Sequence, residues 1–199
     1  MSAATSRPDP DELIAWRGVV IDRRTAALLC VVEQELGYTL SIIKAHEMGG
    51  AGSVSSTTHN GLGVVDLAPY DAKNKLRALK KFMGAYHRTP SQGPWSEHIH
   101  ACSFVTRGMD PLAVAQLVDF DKLLDGLAGH GPDPDPWRHP DAQKFNYDAY
   151  WHDLLLEQRV TGLKARLKKV AEHMSMLRAK RRMLKAQIAA ARDKQTYLH

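Results

Sequence analysis

Three side chains in this 199-residue chain have the types and positions to hold one metal ion: His59, Asp66 and His100. A catalytic zinc site takes three protein ligands from His, Asp, Glu and Cys and keeps its fourth position open for water. His59 stands at the exit of a Gly- and Ser-rich loop, 49–56, and Asp66 follows seven positions later in the strand-like GVVDLAP, 63–69. A turn at Gly61 and Gly63 would bring imidazole and carboxylate together. If the strand around residue 98 pairs with that around residue 63, His100 comes to rest beside Asp66, with ligands about 2.0 to 2.2 Å from one zinc.

The elements that must position these groups are legible as periodicities. Ala26, Leu29, Val32 and Leu36 recur at helical spacing from Asp22 to the terminator Gly37. YTLSIIKA (38–45) and GVVDLAP read as strands, DAKNKLRALKKFMGA (71–85) as a helix with Leu76, Leu79, Phe82 and Met83 inward, and GAYHR (84–88) as a short third strand. WSEHIHACSFV (95–105), β-branched and aromatic, predicts a central strand, and 110–127 a closing helix. Strands broken by helices without βαβ alternation predict an α+β fold with a mainly antiparallel sheet and flanking helices. Alternation puts His98, His100 and Cys102 on one face of the central strand and Glu97 with Ile99 on the other.

The pairing of THNGLGVVDL (58–67) with WSEHIHACSF (95–104) resembles the signature of the zinc D-Ala-D-Ala carboxypeptidases. That family also takes in phage endolysins that cut L-Ala-D-Glu bonds, and the Hedgehog signalling domain is structurally related. The resemblance spans roughly residues 20–127. It implies a Hedgehog/DD-peptidase-like fold, Zn2+ on His59, Asp66 and His100, Glu97 as general base and His98 near the metal. The expected reaction is hydrolysis of a peptide bond in peptidoglycan. Glu97, with His98 as its competitor, takes a proton from the attacking water, and His98 or Lys44 steadies the oxyanion. The chain departs from the family pattern where Leu62 replaces a Gly, where Thr57 replaces a Ser, and where an arginine for a substrate carboxylate is missing, which leaves Lys44 as the nearest cation. Thr57, Lys44 and Trp95 are the candidate substrate contacts, Trp95 as core or cleft wall. His46, His87, His130, His139 and His152 read as surface or linker residues.

Charge divides the chain. From residue 150 onward twelve Lys and Arg stand against four Asp and Glu, a balance of +8, while 1–149 carry 15 basic and 18 acidic residues, or −3. In that tail Val160, Leu163, Leu167, Val170, Met174, Leu177, Leu184, Ile188 and Ala191 fall on alternating steps of three and four, with Arg181 interrupting, which is a heptad seam. A helix of about 45 residues is about 70 Å long, too long for a small domain to cover. Self-association or docking on a partner helix is therefore expected, with Arg181 biasing register or oligomer state. The resulting organisation is a flexible N-terminus (1–12), a zinc peptidase domain (13–128), a Pro-rich linker (129–147) and a coiled-coil helix (148–195).

Cys30 and Cys102 make no disulfide framework and read as buried thiols. The first thirty residues carry Pro8, Pro10 and charges where a signal peptide needs an apolar run, so a cytosolically made protein is expected. With a peptidase, that points to a phage endolysin or virion-associated lysin reaching the wall through a holin pore or from a particle. The alternative is a catalytically silent zinc-fold scaffold assembled through its coiled coil. The tail, with Tyr197 as its one late aromatic, lacks the interleaved rings of a specific single-strand binder. Its basic face reads as a solvated helix face that could also hold an anionic cell-wall polymer, ranked first beside a peptidase, or membrane or nucleic acid.

Overall fold

A computed structural model describes residues 7–47, 58–104, 106–140 and 146–196, with side chains as far as 187. Among the described residues the chain forms six strands and four α-helices, an α+β architecture with two antiparallel sheets. The expected loop 49–56 and Thr57 lie outside the described residues.

A hairpin opens the fold, pairing β1 (Leu13–Trp16) with β2 (Val19–Asp22). Its two turn residues, Arg17 (φ 52°) and Gly18 (φ 84°), are both left-handed, which matches the turn to the twist of the strands. The helix α1 (Arg23–Leu36) follows with Asp22 as N-cap and left-handed Gly37 as C-cap, as its periodicity predicts. The main sheet has the order β3-β4-β6-β5, every pair antiparallel: β3 (Ile42–Lys44), β4 (Val64–Leu67), β6 (His98–Ser103) and β5 (Met83–Arg88). α2 (Ala72–Leu79) precedes β5, and α3 (Pro111–Asp121), capped by Asp110, follows β6.

The two faces of the sheet divide labour. On one, Val65, Leu67, Ala85, Ile99 and Ala101 join Leu28, Leu29 and Val32 of α1 and Leu76 and Leu79 of α2 in the main core. On the other, Val64 and Cys102 pack with Ala113, Met109 and Leu117 around α3. Asp66, His100 and Tyr86 lie in one cross-strand row on that second face, since Asp66 pairs with His100 and His100 with Tyr86.

Three expectations need correction. Met83 begins β5 rather than ending a helix, and Phe82 lies in the tight turn before it. The run of six residues pairing with His98–Ser103 outweighs the 3.6-residue pattern, because a ladder satisfies every amide of a buried segment. The Pro-rich stretch is built into the domain: Pro132 bridges Leu124, Asp133 donates its amide to Leu123, and Arg138 donates to the Phe120 carbonyl at 2.7 Å. The reason is the fully buried Lys80, whose ammonium meets Asp133 at 3.3 Å and Asp135 at 3.4 Å. The first compact unit accordingly runs to Tyr147. At the other end, residues 9–12 are tied down rather than flexible: Arg24 donates its amide to the Pro10 carbonyl and Arg23 to that of Glu12.

The second unit, Asp148–His199, is dominated by α4 (Tyr147–Thr196), a single helix of 50 residues. No helix among the described residues is long and apolar enough to cross a membrane.

Candidate metal centre

His59, Asp66 and His100 converge. Each offers one ligating atom, these atoms all lie within 4.8 Å of one another, and all three residues are buried. Three elements bring them together. Asp66 and His100 are register partners on β4 and β6, and the single 3₁₀ turn Thr58–Asn60 carries His59.

Two glycines set the approach of that turn to β4. Gly61 lies against the backbone of Met109 and Asp110, where a Cβ would stand 2.1 Å from the Asp110 nitrogen. Gly63 is left-handed (φ 80°) and packs on Thr106. Its amide donates to Asp22 Oδ2 at 2.8 Å, while Asp22 Oδ1 accepts from the Thr25 amide. One carboxylate thus caps α1 and holds the loop that delivers His59, and its burial raises its pKa against the opposing pull of those bonds.

The hydrogen bonds fix which ring nitrogens are free. A carbonyl oxygen only accepts, so His59 Nδ1, 3.0 Å from the Ala45 carbonyl, carries a proton. Its Nε2 is buried, makes no hydrogen bond, and stands 3.1 Å from Asp66 Oδ2. His100 Nε2 stands 2.8 Å from Gln116 Oε1 and Nδ1 2.7 Å from Asp66 Oδ1. Both oxygens accept, so a neutral ring donates to one of them, and the tautomer that donates to Gln116, the opposite of that of His59, is the one that leaves Nδ1 free for a metal. In those tautomers both inward nitrogens present lone pairs to a carboxylate, a repulsive arrangement unless positive charge lies between them. That charge is either a proton on each ring or a shared cation. Burial lowers the pKa of His100 more than Asp66 raises it, which disfavours the proton. Burial also works to raise the carboxyl pKa of Asp66, yet hydrogen bonds and positive charge from the two imidazoles, when they carry inward protons, pull it well below the usual range. The carboxylate is thus held ionised, as a metal ligand must be.

The donor set therefore fits a divalent transition metal: two imidazoles, one carboxylate, and an outer acceptor on each ring that orients it. Tetrahedral ligands at about 2.0 to 2.1 Å stand about 3.3 to 3.4 Å apart; the two imidazole nitrogens lie 3.1 and 2.7 Å from the Asp66 oxygens, just inside that spacing.

Beside the triad lies a cavity of about 430 Å³, within the size range of small-ligand sites. Trp95, Leu112, Ala115 and Leu127 supply its apolar wall, and His98, His100, Arg88 and Gln116 its polar one. His98 Nδ1 donates to the Ser96 carbonyl at 2.6 Å, leaving Nε2 as an acceptor 3.7 Å from Asp66 Oδ1. Of the two candidates for the base, His98 is thus at the site. Glu97 is not: its carboxylate is half exposed and meets His87 Nε2 at 2.8 Å. His87 pairs with Ile99, so Glu97 and His87 share the face opposite His100, as strict alternation dictates.

Lys44 is the cross-strand partner of Asp66, but its ammonium meets Glu47 at 3.0 Å and it is not among the cavity residues. Trp95 lines the cavity as expected. The sequence reading missed Arg88 and Gln116, both of which line it. Arg88 is buried on β5 opposite His98 and donates to the carbonyls of Asp125 and Gly126. The strand reading of GAYHR (84–88) already contained it, two residues beyond Tyr86 on the same face, and only the register with β6 shows that this face is the one of the site. His130 is exposed, in agreement with its reading as a surface or linker residue, and reaches the cavity lining while paired with Asp119 at 3.0 Å.

The three residues thus form a buried two-histidine, one-carboxylate group that could hold a metal ion, with His100 also lining the neighbouring cavity. Comparison of the chain with protein-family models, with curated proteins and with solved structures finds no match to any of them.

Proposed function

We propose that the chain is a zinc-dependent peptidase acting on peptide bonds in peptidoglycan stem peptides. The observation that carries the reading is the convergence of His59 Nε2, Asp66 and His100 Nδ1 in a buried group beside an open cavity. The resemblance of THNGLGVVDL and WSEHIHACSF to the zinc D-Ala-D-Ala carboxypeptidases and endolysin peptidases supplies the substrate class.

In such a setting zinc supplies polarisation of a carbonyl and a water whose pKa falls toward about 7. The chain's own residues do the rest. Ala45 and Gln116 hold the two imidazoles in the tautomers that leave His59 Nε2 and His100 Nδ1 free. His98, with its proton fixed on Nδ1 by Ser96, accepts a proton at Nε2 and is the general base of this account in place of Glu97. Arg88 lines the cavity beside Asp119 and is the cation of that lining, the candidate partner for a substrate carboxylate in the role the sequence reading left to Lys44. Leu112, Leu127 and Trp95 give apolar contact to short side chains such as those of alanine. An endolysin or virion-associated lysin is the biological setting we favour.

One observation favours a second reading. Glu97, the carboxylate the resemblance assigns as base, is engaged with His87 on the opposite face, as it would be in a silent zinc-fold scaffold. Digestion of purified peptidoglycan by the zinc-loaded protein, followed by mass spectrometry of the fragments, separates the two. The peptidase reading expects released stem peptides, a loss of at least 100-fold in His98→Ala and little change in Glu97→Gln. Zinc bound with no fragment released would leave the scaffold.

A further inference from the structure

The seam of α4 is exposed: Val160, Leu163, Leu167, Val170, Met174, Leu177 and Leu184 retain between 46 and 68% of their surface. With Val160, Leu167, Met174 and Arg181 at heptad position a and Leu163, Val170, Leu177 and Leu184 at d, the flanking e and g positions follow. They are Arg159, Lys164, Arg166, Ala171, His173, Arg178, Lys180, Lys185 and Gln187. Six of the nine are Lys or Arg and none is acidic, so the borders of the apolar stripe carry one sign of charge along its length.

We infer that this face docks a separate helix with an apolar a/d stripe and acidic flanks, rather than a second copy of the chain. In a parallel pair of identical helices, g faces the following e of the partner, which sets Arg159 against Lys164, His173 against Arg178 and Lys180 against Lys185. An antiparallel pair sets e against e and g against g, and every such contact is again basic or neutral. A parallel self-pair also stacks Arg181 on its own copy at the a layer. Glu or Asp at the partner's flanks turns each repulsion into an attraction, and a carboxylate near Arg181 neutralises the interruption.

The period argues for a helix as the occupant rather than a lipid surface. Strict alternation of three and four gives 3.5 residues per turn, which drifts by about 20° per heptad on a straight helix. Over the heptads from Val160 to Leu184 the stripe would turn away from a flat bilayer. Supercoiling about a second helix keeps it in contact. The stripe is also two positions in seven, narrower than the apolar face of an interfacial helix.

Sedimentation of the full chain with synthetic helical probes tests this. Two peptides of five heptads share Leu and Val at a and d; one carries Glu at every e and g, the other Lys. The chain alone is expected to sediment as a monomer at low micromolar concentration in about 150 mM salt, conditions in which exposed charges interact over about 8 Å. It is expected to bind the Glu peptide one to one, at least tenfold more weakly in about 500 mM salt, and not the Lys peptide. The full chain with Leu167→Asp and Leu177→Asp is expected to lose the peptide while keeping its helix content by circular dichroism. A self-dimer at 150 mM salt, binding of neither peptide, equal binding of both, or sedimentation with phosphatidylglycerol vesicles in place of the Glu peptide would overturn the inference.

Discussion

At the scale of single residues, the account turns on which ring nitrogens hold protons. Gln116 does not touch the carboxylate, yet its amide oxygen is the acceptor that allows His100 the tautomer with Nδ1 free. Tyr86 donates to the Gln116 carbonyl and so helps fix that stretch of α3. Gln116→Leu is expected to weaken zinc binding by about 10- to 100-fold with the three ligands intact, read by competition against a chromophoric chelator. Protons compete with zinc at His100, and burial lowers the pKa of that imidazole, so affinity is expected to hold through the ordinary imidazole range and to fall only at more acid pH, read by the same competition. The thiols offer an independent check on the packing around the site. Cys102 is fully buried beside His100 and Gln116, and burial pushes its pKa up to about 12, whereas Cys30 is only partly buried. In native protein near pH 8, Cys102 is expected to resist a thiol reagent until the chain unfolds, while Cys30 reacts first.

At the scale of elements, the site depends on how a loop meets a sheet. Asp22 joins the start of α1 to Gly63. Asp22→Ala removes a cap and a buried acceptor together and is expected to cost about 2 to 3 kcal/mol in chemical denaturation. Gly61→Ala forces a Cβ onto the Asp110 backbone, which cannot swing aside as a side chain can, and about 2 to 3 kcal/mol is expected there as well.

Much of this level was legible beforehand. Asp22 and Gly37 bounded α1, and the β-branched and aromatic content of 95–105 marked a central strand, whose pairing with the strand at 63 sets His100 beside Asp66. The alternation argument also put Glu97 on the wrong face for the role that the family resemblance implied. What periodicity could not show was the competition at 80–83. There a helical spacing of apolar residues continues in the sequence, but the ladder with β6 takes over at Met83. Arg88 went unassigned for the same reason, because its face depends on the register of β5, and register is a tertiary property.

At the scale of the whole molecule, the Pro-rich stretch behaves as part of the first unit because of one buried ammonium. Lys80 has no solvent-exposed surface, and Asp133 is among its neutralising partners together with the Asp135 carbonyl and carboxylate. Composition hides this, since three prolines in GPDPDPW look like a spacer while the aspartates between them reach a lysine more than fifty residues earlier. Asp133→Ala is expected to destabilise the fold by about 3 to 5 kcal/mol, as removal of one partner of a buried pair does. Lys80→Met in the same background is expected to recover most of it, measured by urea denaturation.

The claim on which everything rests is that the two imidazoles and the carboxylate share one ion. Elemental analysis of the full-length protein after equilibration with zinc and exhaustive removal of the excess reads this directly. The expected result is one zinc per chain, lost in His59→Ala, Asp66→Ala and His100→Ala alike and retained in Glu97→Gln. Protein that retains no zinc, or that retains it equally in all three ligand variants, would contradict the account.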